Sequence, residues 1–185
     1  MCGVCCYRVC YIIRIIVKLN ICIFKMSSSK EIKVVFGNIT RNNYEQLKQL
    51  NNLSLPVRYQ RGFYDRIVYG LRFGRFAYYN DIIVGAITWK YDDCKGQKNV
   101  YIMTINVLDA YKRNKIGSQL LHELIRLHKN MKEISYINLH VQVCNEVALK
   151  FYLKNGFENV ETIEKYYTDI EPKGAYYLRL KLHDN

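Results

Sequence analysis

NVYIMTINVLDAYKRNKIGSQLL, residues 99–121, joins three kinds of local structure in one segment. Residues 100–108 are apolar and rich in β-branched side chains, which predicts a buried strand. A short basic turn with one glycine follows, and apolar side chains then recur at helical spacing from Leu120 to Met131. Because the first N–H groups of a helix lack partners and the helix dipole is positive there, the segment predicts an anion-binding site.

The composition is typical of one globular, basic domain. The chain has 185 residues, half of them apolar, and a formal net charge of +12, which suits a single sizeable core. The charge favours an acidic partner, such as a nucleotide-like cofactor, nucleic acid, a membrane surface or the ribosome, or else a solvated basic surface. Because no nucleic-acid-binding motif is recognisable, no specific nucleic-acid partner is predicted.

The cysteines are concentrated near the N-terminus. Only Cys94 and Cys144 lie beyond residue 25, which argues against a disulfide framework and for a reducing compartment. We therefore expect a cytoplasmic protein, and a nuclear pool is compatible with the same composition. Cys2, Cys5 and Cys6 have no histidine nearby, so no metal site is predicted.

Residues 1–25 are a separate apolar and basic segment without an acidic residue. Arg14 and Lys18 interrupt it, and each costs about 3 kcal/mol at a bilayer centre, so no transmembrane span is predicted. An organellar leader, a cysteine-acylated anchor and upstream sequence that is not normally translated all remain open. The last is favoured, because Met26 makes a natural start. We predict that residues 1–25 are dispensable and that the domain spans residues 26–185.

The remaining patterns predict seven strands and four helices in an α/β arrangement. Strands are predicted at 31–39, 75–79, 82–91, 100–108, 136–143, 158–166 and 175–182. The helices are a first one at 40–52 capped by Thr40, a second at 60–71, the basic-turn helix, and one at 146–154 capped by Asn145 and ended by Gly156. Residues 92–98 are predicted as a polar loop. Only the fourth and fifth strands require a parallel crossover, so the sheet is mixed and has helices on both faces.

Several short motifs keep a recognisable order along the chain. They are Leu-Pro-Val-Arg-Tyr (55–59), Tyr-Ile-Met-Thr (101–104), Leu-His-Val-Gln (139–142), Asn-Glu (145–146), Phe-Tyr (151–152), Gly-Phe (156–157), Tyr-Tyr (166–167) and Ile-Glu-Pro (170–172). With the strand order, they resemble the GCN5-related N-acetyltransferase (GNAT) superfamily, and within it the catalytic subunits of the N-terminal acetyltransferase NatE. The resemblance covers about residues 31–182.

The resemblance implies a GNAT fold with acetyl-CoA in the splay between the fourth and fifth strands. It implies acetyl transfer to the α-amino group of nascent proteins, preferably a retained initiator Met followed by a hydrophobic residue. It also implies association with the N-terminal acetyltransferase A complex and the ribosome. Acetyl-CoA is the expected co-substrate, and no metal is expected.

The resemblance also assigns acetyl-CoA contacts. Backbone N–H groups around Ile105, Asn106 and Val107 face the thioester oxygen, and Asn145 and Tyr152 lie along the pantetheine arm and the sulfur. The pyrophosphate falls on the basic turn formed by Lys112, Arg113, Asn114, Lys115, Ile116, Gly117 and Ser118. Lys115 stands where the family motif has glycine. We expect acetyl-CoA to bind nonetheless, though less tightly, because a backbone N–H can bind phosphate without glycine if φ is negative.

The resemblance names Tyr101 and His140 as a catalytic pair that acts through an ordered water. His140 has the better intrinsic pKa for a base, Tyr101 suits a water-positioning role, and Tyr152 protonates or hydrogen-bonds the leaving thiolate. The implied peptide-binding residues are Leu55, Pro56, Val57, Tyr59, Met103, Tyr166 and Tyr167. Leu55 replaces the usual Phe of the family.

Two other functions are compatible with the same patterns. A lysine or small-amine acetyltransferase keeps the fold but favours an acid-rich substrate groove, which the apolar loop at 55–57 does not provide. A non-catalytic subunit of a ribosome-associated complex is favoured only by Lys115 and by the basic surface. The retained pair of Tyr101 and His140 argues for an enzyme.

Overall fold

A computed structural model describes residues 32–94, 96–168 and 170–183, and the chain from Lys33 onward forms one compact unit. The described part builds a seven-stranded sheet in the order β1-β2-β3-β4-β5-β7-β6. The strands are Val35–Asn38 (β1), Phe73–Tyr79 (β2), Ile82–Cys94 (β3), Gln97–Val107 (β4), Ile134–Gln142 (β5), Glu158–Ile163 (β6) and Ala175–Lys181 (β7). The expected boundary between residues 25 and 26 lies outside the described residues and stays a prediction.

Four α-helices cover the two faces of the sheet in the described part of the chain. They are Tyr44–Ser54 (α1), Arg61–Val68 (α2), Ile116–His128 (α3) and Glu146–Lys154 (α4). Side chains of α1 and α2 form one buried cluster with Ala86 of β3. The preceding residue, Gly85, lies with its Cβ position on the other face, where a Cβ atom would be 3.2 Å from Leu120 of α3. α4 packs on that second face, because a Cβ atom at Gly117 of α3 would contact Phe151.

The sheet is mixed, as the sequence predicts. β4 and β5 pair in parallel, whereas the other neighbouring strands are antiparallel. A parallel pair requires a crossover connection, and α3 supplies it. The predicted element order and the predicted mixed α/β sheet are confirmed.

β4 and β5 separate partway along their length. The last residues described as a pair are Tyr101 and Asn138, although β4 continues to Val107 and β5 to Gln142. Beyond that point the facing backbone groups of the two strands open a cleft instead of continuing the ladder. This is the predicted splay, and it exposes backbone donors and acceptors in the middle of the sheet.

The predicted polar loop at residues 92–98 is wrong. β3 continues to Cys94 and β4 begins at Gln97, so a tight hairpin replaces the loop. Asp93 pairs directly with Lys98 across this hairpin, and opposite charges at such positions stabilise the pairing. The residues are polar because the strand ends extend beyond the core, and this composition hid their extended conformation.

Two helix boundaries also differ from the prediction. The first helix begins at Tyr44 rather than after Thr40, because the Thr40 N–H donates to the Asn43 side chain (2.7 Å) and holds residues 40–43 in a turn. The second helix ends at Val68 rather than Leu71. Gly70 follows it in the left-handed region at φ +71°, where glycine is favoured and a helix stops.

His128 is a buried histidine at the end of α3. Its Nδ1 lies 2.8 Å from the Leu124 carbonyl oxygen, which only accepts, so Nδ1 carries the proton. Nε2 then accepts from the Tyr91 hydroxyl at 3.2 Å. Burial lowers the pKa of His128, and the hydrogen bond to Leu124 only partly opposes that shift. Folding therefore favours the neutral ring.

We expect this histidine to make stability depend on pH. Its pKa is lower in the folded chain than the ordinary value of about 6.5, so the unfolded chain binds more protons below that pH. The free energy of unfolding should therefore be lower at pH 5.5 than at pH 7.5 in urea titrations. His128→Gln should flatten this dependence, whereas the exposed His122→Gln should not. An equal pH dependence in His128→Gln and the native chain would contradict the assignment.

Candidate active site

Three predicted site residues meet where β4 and β5 separate. The Tyr101 hydroxyl lies 2.9 Å from Nδ1 of His140 and 3.1 Å from the hydroxyl of Tyr166. Tyr101 is on β4 and His140 on β5, so the end of strand pairing sets their spacing. Tyr166 comes from the connection between β6 and β7. It lies past the end of β6 at Ile163, so the predicted strand to residue 166 is too long.

The environment shifts the pKa values of this cluster in opposite directions. Burial, followed by the hydrogen bond and the charge of Tyr166, raises the pKa of Tyr101 strongly. Burial lowers the pKa of His140, because the imidazolium is disfavoured away from water. At neutral pH the cluster therefore presents a protonated phenol beside a neutral imidazole.

Aromatic packing holds the His140 ring. It stacks on Tyr166 with ring centroids 4.0 Å apart, and Tyr177 of β7 lies on it at 4.9 Å. Lys90 of β3 places its ammonium 5.2 Å from the centroid of the Tyr101 ring. The sequence analysis missed Lys90 and Tyr177. The strand register would have revealed both residues, because Lys90 pairs with Tyr101 and Tyr177 pairs with His140. A single sequence does not determine the register.

The basic turn before α3 has an unusual backbone. Arg113 and Lys115 have φ angles of +68° and +59°, in the left-handed region. The Asn114 side chain donates to the carbonyl oxygens of Tyr111 and Lys112 and so ties the turn together. The sequence analysis expected phosphate binding without glycine on the condition that φ at Lys115 is negative, and that condition is wrong. The glycine of the family motif adopts the left-handed conformation without strain. In this chain a lysine adopts it, which lowers the free energy of unfolding.

Lys115→Gly should therefore stabilise the fold. Relief of the left-handed strain is worth about 1 kcal/mol, which should raise the free energy of unfolding measured by urea titration. Lys112→Gly is the matched control, because Lys112 has an ordinary φ of −59°, so glycine there relieves no strain; it adds chain entropy and removes an exposed ion pair with Asp109. Equal destabilisation by both substitutions would show that the turn carries no strain.

The start of α3 fits the pyrophosphate of acetyl-CoA. The first helical residues are Ile116, Gly117 and Ser118, and no acidic residue lies in this first turn. The Lys115 carbonyl accepts from the Gln119 N–H, so the N–H groups of residues 116–118 precede the first hydrogen bond of the helix. N–H groups at this position point along the helix axis at a ligand. Lys112 is exposed and ion-paired to Asp109 at 2.6 Å. The turn thus offers backbone donors and a positive field beside the splay.

The segment of β4 that is expected to face the thioester oxygen offers backbone groups to it rather than side chains. Asn106 is buried and its side chain turns towards α1. Ile105 and Val107 are half-buried on the opposite face. Any donor for a thioester oxygen in this segment is therefore a main-chain N–H, as the resemblance implies.

Tyr152 and Asn145 belong to α4. Tyr152 is buried between Phe151 and Phe157, and burial raises its pKa strongly, so its hydroxyl stays protonated. The Asn145 side chain accepts from the Ala148 N–H at 3.1 Å and caps the helix, as predicted. The cap uses only the side-chain oxygen, so the amide NH₂ is suited to a second contact.

The predicted peptide-binding residues fall into two groups. Tyr59 and Met103 pack on the cluster formed by α1 and α2, and Tyr167 lies edge-on to Tyr166 at 4.9 Å. Burial, followed by the charges of Tyr166 and Tyr59, raises the pKa of Tyr167. The second group is Leu55, which is half-buried, and Pro56 and Val57, which are exposed. No described contact joins this second group to the His140 cluster.

Two further features concern membranes and metals. No helix within the described ranges is long and apolar enough to cross a membrane. Among the same residues, no group of three or more histidine, cysteine, aspartate or glutamate side chains is arranged to hold a metal ion.

Comparison with known proteins identifies the family. Residues 44–157 match the acetyltransferase (GNAT) family. N-alpha-acetyltransferase 50 of Danio rerio is 39% identical over 150 residues, which are 81% of this chain and 89% of that protein. A probable N-acetyltransferase, san, of Drosophila melanogaster is 38% identical over 80% of this chain and 81% of its own. Arabidopsis thaliana Naa50 in complex with the bisubstrate analogue CoA-Ac-MVNAL has a TM-score of 0.70, 39% identity, and coverage of 79% of this chain and 97% of its own.

The chain therefore belongs to the GNAT acetyltransferase family. Within the family it is an N-alpha-acetyltransferase 50-like N-terminal acetyltransferase, which uses acetyl-CoA and acts on protein N-termini. The predicted resemblance to NatE catalytic subunits is confirmed. The fold is also shared with Arabidopsis thaliana NAA60 in complex with acetyl-CoA, at a TM-score of 0.72 and 21% identity.

Proposed function

We propose that the chain acetylates protein N-termini that begin with Met followed by a hydrophobic residue, and that Tyr101 and His140 form its catalytic pair. The observation that carries the proposal is the contact between Tyr101, His140 and Tyr166 at the point where β4 and β5 separate. In this cleft an amine from one side meets a thioester from the other.

His140 acts as the base, through an ordered water. An α-amino group has a pKa of about 7.7–8.0, so a modest base is sufficient at neutral pH. The lowered pKa of His140 keeps its ring neutral and ready to accept a proton. When Nδ1 donates to Tyr101 and Tyr101 donates to Tyr166, Nε2 is free for this role. Tyr101, which its raised pKa keeps protonated, accepts from the ring and donates to Tyr166, and its remaining lone pair can accept from the water, so it orients both.

The residues that hold acetyl-CoA follow the cleft. When bound, acetyl-CoA supplies the acetyl thioester. The N–H groups of Ile116 to Ser118 bind its pyrophosphate, and main-chain donors around Ile105 to Val107 stabilise negative charge on the carbonyl oxygen. The Asn145 amide contacts the pantetheine arm. The protonated Tyr152 hydroxyl donates to the leaving sulfur.

The peptide side of the cleft suits an unbranched apolar side chain. Leu55, Pro56, Val57 and Met103 are apolar, and such surfaces favour Met. A relative of 39% identity carries an analogue whose peptide reads MVNAL, that is, Met followed by Val. This likeness supports a Met-hydrophobic preference. Tyr166 and Tyr167 add hydroxyl groups for the peptide backbone.

We also propose that the chain works in the cytoplasm, with a nuclear pool, beside the ribosome and the N-terminal acetyltransferase A complex. A formal net charge of +12 favours association with the acidic ribosome. Co-sedimentation with ribosomes at low and high salt tests this part, because an electrostatic association weakens as salt rises. Sedimentation that does not depend on ribosomes would contradict it.

A peptide panel tests the substrate. We expect rapid acetyl-CoA-dependent acetylation of a Met-Leu peptide, slower acetylation of a Ser-Glu peptide, and none of an internal-lysine peptide with a blocked N-terminus. Transfer mainly to the blocked lysine peptide would move the assignment to side-chain amines. No transfer to any peptide by folded protein would favour the non-catalytic subunit, and Lys115→Gly would then be the first reversion.

A further inference from the structure

Asn51, near the end of α1, is hydrogen-bonded to three segments at or beside the proposed site. Its backbone carbonyl accepts the N–H of Leu55 at 2.9 Å, where the peptide loop 55–59 begins. Its side-chain NH₂ lies 3.3 Å from the hydroxyl of Tyr64, inside α2, the helix that follows that loop. Its side-chain oxygen accepts from the Asn106 amide of β4 at 2.8 Å. One buried residue thus contacts the start of the peptide loop, the helix that follows the loop, and the acetyl-CoA strand.

The Asn106 end of this contact is buried and incompletely satisfied. Asn51 and Asn106 are 1% and 6% exposed, and the side-chain oxygen of Asn106 has no hydrogen-bond partner. An unpaired buried amide oxygen costs stability, whereas an apolar pair of similar size would not. Burial alone therefore does not explain two asparagines at this place, and functional sites are where such costs are retained.

The location of the contact points to a role in alignment. Asn106 lies on the part of β4 that pairs with β3 but no longer with β5, between the main-chain donors of Ile105 and Val107. Beyond Tyr101, β5 no longer holds β4 in place, so this part of the strand is supported by β3, by the packing of Met103 and Leu108 on the α1–α2 cluster, and by this side-chain hydrogen bond to α1. A shift of α1 relative to β4 would move the peptide loop relative to the thioester, and small misplacements are costly in group transfer.

We propose that Asn51 and Asn106 are positioning residues that fix the peptide loop against the acetyl-CoA strand. The inference rests on the proposed function. It assigns to the side chain of Asn106 a role separate from that of its backbone N–H. Breaking the Asn51–Asn106 hydrogen bond weakens the use of peptide, while acetyl-CoA still binds because every main-chain donor of β4 is retained.

Steady-state kinetics with the Met-Leu peptide test the proposal. In Asn106→Ala the peptide KM should rise about five- to tenfold, the effect of one lost buried hydrogen bond, and the acetyl-CoA Kd measured by calorimetry should not change. Asn51→Leu breaks the same bond from the other side. Because both act through one bond, the double variant should be no worse than the worse single variant.

Tyr64→Phe is the matched control, because it removes the other hydrogen bond of Asn51 and leaves the Asn51–Asn106 bond intact. It should lower the unfolding midpoint as Asn106→Ala does, yet keep the peptide KM of the native chain. A second readout is hydrogen exchange of residues 55–59: acetyl-CoA should slow it in the native chain and in Tyr64→Phe, and leave it unchanged in Asn106→Ala.

Two results would overturn the inference while leaving the proposed function in place. One is an active native chain whose peptide KM is the same in Asn106→Ala and in Tyr64→Phe. The other is a multiplicative loss in the double variant, which would mean that the residues act independently. A native chain that binds acetyl-CoA but acetylates no peptide would instead contradict the proposed function, and the exchange measurement would still test the contact.

Discussion

His140→Gln should lower kcat for a Met-Leu peptide by about 10²- to 10⁴-fold, the usual contribution of a positioned general base. Glutamine is close to histidine in size and offers hydrogen bonds to Tyr101, but it does not accept a proton in this pH range. The acetyl-CoA Kd should be unchanged, because the proposed acetyl-CoA contacts lie in β4, around the start of α3 and at Asn145 and Tyr152, and do not include His140. The loss should therefore appear in turnover rather than in cofactor binding.

Single-turnover acetylation followed by mass spectrometry measures this effect. His122→Gln is the matched control, because His122 is exposed on α3 and has no contact with the His140 cluster. Raising the pH should partly restore the His140→Gln rate, since a larger fraction of the peptide amine is then already deprotonated. A variant with the native rate at pH 7 would remove His140 from the mechanism.

The second large effect concerns the acetyl-CoA turn. Ser118→Asp should raise the acetyl-CoA Kd about tenfold or more, because a carboxylate in the first turn of α3 repels the pyrophosphate at close range. The same substitution should leave the fold as stable or slightly more stable, since a negative charge at a helix N-terminus is favourable by about 0.3–1 kcal/mol. Affinity and stability are thus expected to change in opposite directions.

Calorimetric titration with acetyl-CoA, paired with urea unfolding, separates the two effects. Ser118→Asn is the uncharged control of similar size and should bind nearly as the native chain does. The difference between the two variants should shrink at high salt, because screening weakens the repulsion. Equal affinities for Ser118→Asp and Ser118→Asn at low salt would place the pyrophosphate elsewhere.

Much of the fold follows from local patterns that can be recognised in the sequence alone. The apolar run before the basic turn, the Asn145 cap and Gly156 fix the fourth strand and the ends of α4, and the structure agrees with each. The parallel pairing of β4 and β5 follows from the helix between them. The motifs around Tyr101 and His140 indicated the narrower group of NatE catalytic subunits within the GNAT superfamily, which composition alone does not reveal.

The remaining features depend on tertiary context. The hairpin at residues 92–98 forms because the polar ends of β3 and β4 pair with each other, and a local sequence pattern does not encode this pairing. The positive φ of Lys115 goes against the preference of its residue type and is set by the turn around it. Lys90 and the Asn51–Asn106 contact depend on strand register and helix packing, neither of which is visible before the elements are assembled.

One measurement tests the central claim most directly. A single peptide beginning Met-Leu, with a free α-amino group and one internal lysine, is incubated with acetyl-CoA and the chain, and the acetylated amine is located by fragmentation mass spectrometry. The account predicts acetylation of the α-amino group, its loss in His140→Gln, and an unmodified lysine side chain. Acetyl on the lysine, or equal α-amino acetylation by His140→Gln, would contradict it.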